Sequence, residues 1–175
     1  MTIFHPDWYY KTGWGIYGPH WFGPPCVFGI IMLASTHLIR SSLDQHRIFT
    51  AATCTVFTIL CTYYLINAAY RDPGLIRARF EEPVPRDHLW CDFCQNYQPP
   101  GGAHCPQCHV CIAGYDHHCV WMGTCIGRNN FQQFVRFNLS WLAYLMYAIV
   151  WVSVVAPILT RVHHHGQAGV SDGDA

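Results

Sequence analysis

Seven of the ten cysteines lie between Cys91 and Cys125, interleaved with histidines. The run reads Cys91-x2-Cys94, then His104-Cys105-x2-Cys108-x2-Cys111, then Asp116-His117-His118-Cys119, then Cys125. Thiolates and imidazoles at this density suit zinc, which takes four such ligands in a tetrahedral structural site. Two sites of three cysteines and one histidine would consume six cysteines and two histidines. One cysteine is then left over, beside a histidine and an aspartate, and it reads as a nucleophile rather than a ligand. Each Cys-x2-Cys knuckle puts two thiolates on one tight turn, where they can grip one ion. Spacing alone leaves open which pairs share an ion. Pro99-Pro100-Gly101-Gly102 and Gly114 point to loops. A segment this short and polar would draw its folding energy from bound metal.

The ordered string resembles the DHHC family of protein S-acyltransferases, membrane enzymes that move a fatty acyl group from acyl-CoA to a protein cysteine. The resemblance covers roughly Asp72 to Phe134. It is carried by Asp72-Pro73-Gly74, the cysteine-rich run, Asp116-His117-His118-Cys119-Val120-Trp121, and Cys125-Ile126-Gly127-Arg128-Asn129-Asn130 with Phe134. The resemblance implies two interleaved zinc sites: Cys91, Cys94, His104 and Cys111 on one ion, and Cys105, Cys108, His118 and Cys125 on the other. It leaves His109 as an exposed loop residue.

Cys119 is then the unspent thiol. A free cysteine with a pKa of about 8.5 is only partly thiolate at neutral pH, so it needs a base or a positive field to attack a thioester quickly. His117 can supply the base, and Asp116 can hold the other ring nitrogen and stabilise the imidazolium that forms. Ligands on either side, His118 and Cys125, would fix the Cys119 loop within the tolerance that attack demands. The zinc is structural in this reading. The expected reaction has two steps: Cys119 takes the acyl group, which the family resemblance implies is palmitoyl, from acyl-CoA, and a substrate cysteine then takes it from Cys119. The resemblance also places Trp121 near the start of the acyl chain.

These groups need elements to position them. The chain is 51% hydrophobic and 11% charged, about half the usual charged share of a soluble protein. Its formal net charge is zero, and no run of lysines suggests nucleic acid as a partner. Close Cys-x2-Cys pairs beside histidines favour metal in a reducing compartment over a secreted disulfide scaffold. No signal-peptide pattern opens the chain. Three stretches approach the roughly 20 apolar residues that a membrane helix needs. Residues 49–70 are the strongest and 135–160 nearly equal them, with Pro157 close to the far end. Residues 21–39 are weaker, with Pro24-Pro25 at the start and His37 inside. Prolines in a first turn are compatible with a helix.

The predicted organisation is therefore an N-terminal segment 1–20, membrane helices at 21–39, 49–70 and 135–160, a cysteine-rich zinc domain at 71–134, and a disordered polar tail at 161–175. The fold class is a polytopic α-helical membrane protein with a cytosolic, loop-rich, two-zinc DHHC domain. Arginines at 71, 77, 79, 86, 128 and 136 place the 71–134 piece and the N-terminus in the cytosol by the positive-inside rule. Beyond the Cys-x2-Cys spacing no internal repeat is visible. The expected partners are acyl-CoA, cytosolic or membrane proteins with acceptor cysteines, and the bilayer. The family suggests the Golgi or endoplasmic reticulum.

Three features depart from the family pattern. Family members commonly have a fourth membrane helix and a Thr-Thr-x-Glu motif, so the chain reads as truncated after its third helix. Gln98-Pro99-Pro100-Gly101-Gly102-Ala103 is uncharged where basic residues are usual, which weakens the expected grip on CoA phosphates. Thr124 and Val120 replace a usual asparagine and proline. The competing readings are a catalytically inactive membrane zinc protein that partners complete enzymes, and a plain zinc module. Asp116-His117-His118-Cys119 argues against the last, since such a module has no use for an extra acid, base and thiol.

Overall fold

The computed structural model describes residues 18–45, 47–77, 84–159 and 161. The expected N-terminal segment and polar tail fall almost wholly outside them. Helix α1 spans Gly23–Asp44, α2 Ile48–Tyr70, and α3 Phe131–Val150, which continues through a π-helical turn, Trp151–Val155, to Leu159. By length and composition all three can cross a membrane.

Their packing follows from narrow stripes of small residues. In α1 the buried positions include Pro24, Ile31, Ser35 and Ser42; in α2 they include Cys54, Cys61, Leu65 and Ala68. Such spacing puts each set along one helix face, and small side chains let backbones approach closely. The middle helix, α2, packs on both α1 and α3. A polar node ties the three together: Thr58 Oγ1 donates to Ser35 Oγ at 2.7 Å and Tyr144 Oη to the same oxygen at 3.0 Å. Outside these stripes Leu33, Ile59 and Leu139 are largely exposed, as lipid-facing positions would be.

Helix bounds differ from the sequence expectation at two places. Helix α1 runs on to Asp44, five residues past the expected Ile39. Helix α3 starts at Phe131, four residues before the expected Val135. The early start has a local cause: Phe131 N–H donates to Gly127 O at 2.9 Å and Phe134 N–H to Asn130 O at 2.9 Å, so the turn at 127–130 winds directly into the helix. Pro157 lacks an N–H and crowds the carbonyl one turn earlier. The wider π turn just before it, with Ala156 N–H reaching back to Trp151 O, accommodates that.

Between α2 and α3 lie three two-stranded antiparallel hairpins: β1 (Leu89–Cys91) with β2 (Asn96–Gln98), β3 (Ala103–Cys105) with β4 (Val110–Ile112), and β5 (His117–Cys119) with β6 (Thr124–Ile126). They correct the expectation of no repeat. Each hairpin starts fourteen residues after the last, and all three have the same register, with Leu89, Ala103 and His117 opposite Gln98, Ile112 and Ile126. The turns match as well: Gln95, His109 and Gly123 all have positive φ at the last turn position. Cys91, Cys105 and Cys119 are thus equivalent. Cys94 and Cys108 are equivalent too, but the third hairpin has Met122 there.

Asp72 anchors the hairpins to α2. Its Oδ1 accepts from Gly74 N–H and Leu75 N–H, both at 2.8 Å, and Leu75 bridges to Ile112. Asn130, fully buried, closes the other side. Its Nδ2 donates to Ala68 O and Cys125 O, and its Oδ1 accepts from Gly127 N–H. One side chain therefore joins the end of α2, strand β6 and the start of α3.

Candidate metal centres and nucleophile

Alternation along a strand sends neighbouring side chains to opposite faces. In β3 and β5 it presents His104 and His118 on one face, each directly across from a cysteine of the return strand, Cys111 and Cys125. The turn of the preceding hairpin brings its Cys-x2-Cys pair to that histidine–cysteine pair. The result is two clusters, Cys91–Cys94–His104–Cys111 and Cys105–Cys108–His118–Cys125, in each of which the ligand atoms all lie within 4.8 Å of one another. These are the two sets that the sequence resemblance implies. His109 stays exposed on its turn.

The donor sets fit a tetrahedral ion. Zinc–sulfur and zinc–nitrogen bonds of about 2.3 and 2.0 Å put ligand atoms about 3.5–3.8 Å apart. In the second cluster His118 Nδ1 lies 3.3 Å from Cys108 Sγ and 3.7 Å from both Cys105 Sγ and Cys125 Sγ, and Cys108 and Cys125 are 3.5 Å apart. In the first, His104 Nδ1 is 3.2 Å from Cys94 Sγ. The turn amides of Cys94 and Cys108 point at the first sulfur of their own knuckles, at 3.5 and 3.4 Å. Gln98 donates to Cys111 Sγ at 3.1 Å. Such N–H donors suit thiolates.

Crowding decides the protonation of these thiols. Hydrogen bonds from Cys108 and Cys125 hold Cys105 far below the usual thiol range. The hydrogen bond to Cys105 is the main cause that pushes Cys108 up to about 12. Cys125 goes higher still, through its hydrogen bonds to Cys105 and Cys108 and then through burial. Cys111 is raised by its bond to Cys94 and by burial. Three sulfurs this close cannot all be anionic unless a cation stands among them. A divalent ion would let them all ligate as thiolates.

The opposite face of β5 carries His117 and Cys119. Cys119 is buried, 9% exposed, and belongs to one apolar cluster that joins Met122 and Ile126 of its own hairpin to Ile31, Leu65, Phe137 and Tyr144 of the helices. In place of a second knuckle thiol, Met122 plugs the turn into the helix core. His117 Nδ1 lies 2.7 Å from Asp116 Oδ2, and the His117 ring meets Phe134 edge-on at 5.3 Å. Nδ1 therefore carries the hydrogen toward the carboxylate, leaving Nε2 to accept a proton. Trp121, in the turn, is 62% exposed.

Three residues beside the site have no role assigned from sequence. Thr124, directly across from Cys119, has a buried hydroxyl without a partner among the described residues. Gln98 reaches a ligand sulfur, and His20 reaches His118. Gly-Pro-His at 18–20 carries no motif that would mark it, because its partner is 98 residues away.

Comparison with known proteins agrees with the geometry. Residues 85–168 match the family model described as DHHC palmitoyltransferase. The chain is 35% identical over 115 residues to "Putative ZDHHC-type palmitoyltransferase 1" of Dictyostelium discoideum, covering 55% of this chain and 26% of that protein. It is 28% identical over 164 residues to "Probable protein S-acyltransferase 7" of Arabidopsis thaliana, covering 75% and 37%. It is 46% identical over 109 residues to "Palmitoyltransferase ZDHHC5" of Homo sapiens, covering 50% and 15%. The chain thus spans well under half the length of these relatives.

Proposed function

We propose that this chain, whose residues 85–168 match the DHHC palmitoyltransferase family model, is a protein S-acyltransferase working through a thioester on Cys119. The observation that carries this reading is the division of β5. His118 turns to a metal cluster, while His117, paired with Asp116, and Cys119 share the other face, beside apolar helices.

In the first step His117 Nε2 takes the Cys119 proton as the sulfur attacks the thioester carbonyl of acyl-CoA. The carbon–sulfur bond to CoA breaks, and the CoA thiolate leaves with the proton from His117. In the second step a substrate cysteine gives its proton to His117 and attacks the Cys119 thioester. Cys119 leaves as a thiolate and is reprotonated. Asp116 holds His117 in the productive tautomer and stabilises the imidazolium formed in each step. Cys91, Cys94, His104 and Cys111 would hold one zinc, and Cys105, Cys108, His118 and Cys125 the other. With four protein ligands each, the ions supply fixed geometry.

The acyl chain, palmitoyl in this reading, lies along the apolar faces of α1–α3 near Cys119. The three helices cross the membrane of the Golgi or endoplasmic reticulum, with the hairpins on the cytosolic side, where acyl-CoA and protein substrates meet them. Arg71, Arg77, Arg128 and Arg136 at the hairpin ends of the spans support that orientation. The uncharged Gln98–Ala103 stretch favours a second reading, an inactive zinc partner of complete enzymes. A pulse–chase separates the two. Protein loaded with labelled acyl-CoA, freed of excess and mixed with a cysteine peptide, should pass the label to the peptide. Retained label, or none loaded, supports the inactive partner.

A further inference from the structure

His118 presents both ring nitrogens to defined groups. Nδ1 faces the three thiols of the second cluster, and Nε2 lies 3.0 Å from Nδ1 of His20, the two rings being 5.1 Å apart. A neutral imidazole that ligates through Nδ1 must carry its hydrogen on Nε2. His20 Nδ1 is then the acceptor, and its own hydrogen sits on Nε2. Histidine ligands characteristically need such a partner, which fixes the tautomer and the ring plane.

The backbone around His20 is built to hold it there. Gly18 N–H donates to Gly123 O at 3.0 Å, and Gly23 N–H closes a turn onto His20 O at 3.0 Å. A methyl group at Gly18 would lie 2.6 Å from Gly123 O, and one at Gly23 would run into Val120 O. The chain entering α1 is thus in backbone contact with the turn that follows Cys119. The His20 edge packs on Phe22 at 5.9 Å.

We propose that His20 is a positioning residue: it orients His118 as a metal ligand and ties the entry of α1 to the Cys119 hairpin. This rests on reading the second cluster as a zinc site. The two clusters then differ in a measurable way, because only the second should depend on His20.

The test uses the full chain purified in detergent with its zinc. A chromogenic chelator reports zinc release, and alkylation mapped by mass spectrometry reports which thiols become free. Wild type should hold two zinc ions; fewer would refute the metal reading itself, and the His20 proposal with it. His20→Ala and His20→Phe should each release one ion at a chelator concentration about 10–100-fold lower than wild type needs. Cys105, Cys108 and Cys125 should become alkylated while Cys91, Cys94 and Cys111 stay protected. His20→Asn, whose side-chain oxygen stands near the place of Nδ1, should restore retention. The proposal is overturned if His20→Phe holds both ions as tightly as wild type. It is also overturned if all six thiols lose protection together, or if His20→Asn releases zinc as readily as His20→Phe.

Discussion

Three adjacent residues in β5 have different surroundings because a strand alternates its side chains. His118 faces the sulfurs of Cys105, Cys108 and Cys125, a cluster able to hold a metal ion, while His117 and Cys119 face away from them. Asp116 lies 2.7 Å from His117 Nδ1, the contact that the proposed acid–base pair requires. Replacing His117 by Ala removes the proton acceptor, and Asp116→Ala removes the group that sets its tautomer. Each should slow acylation of Cys119 by about 10²–10⁴-fold with both zinc ions retained, measured as the rate of thioester formation from acyl-CoA. A rate within threefold of wild type in either variant would remove that residue from the mechanism. At this scale the two Cys/His clusters were legible: cysteine and histidine spacing advertises metal, and the family resemblance implied which residues share an ion. His20 was not: it matters through a partner that folding brings near, and it belongs to no recognisable local pattern.

The elements add something the motifs concealed. Three hairpins of equal length and register follow one another at fourteen-residue spacing. Each metal cluster joins the knuckle of one hairpin to the histidine–cysteine pair of the next. Cys119 occupies a knuckle position, but Met122 replaces its would-be partner and packs into the helices. The repeat is hidden in sequence because hairpin one lacks the histidine and hairpin three lacks the second knuckle thiol. Apolar run length located the three helices but not the far end of α1, and the start of α3 depended on hydrogen bonds through Asn130. Asn130→Ala would strand Gly127 N–H, Ala68 O and Cys125 O in a buried site. At about 1–3 kcal/mol for each group left unpaired, the loss should exceed about 3 kcal/mol, near the top of the range for one substitution. Thermal unfolding in detergent would show it as a large drop in Tm. A drop no greater than that of Asn129→Ala, at the exposed neighbouring position, would contradict the account.

Across the whole molecule, Cys119 lies where two kinds of stability meet. Its hairpin is braced on one side by a cluster able to bind metal and on the other by the apolar helices. The exposed faces of α1–α3 are apolar, and by length and composition all three helices can cross a membrane. Sequence composition announced the spans. It could not show that the third hairpin, alone of the three, is inserted into the helix core, since that depends on which face of β5 meets α1, α2 and α3. In the proposed function Cys119 carries the acyl group while the metal-binding clusters only hold it in place. The most direct measurement is acyl loading of the purified chain with a clickable acyl-CoA, wild type beside Cys119→Ser, with zinc content determined on both. The expected result is label on wild type that neutral hydroxylamine removes, none on Cys119→Ser, and about two zinc ions on each. Equal labelling of both proteins, no label on zinc-replete wild type, or zinc lost from Cys119→Ser would contradict it.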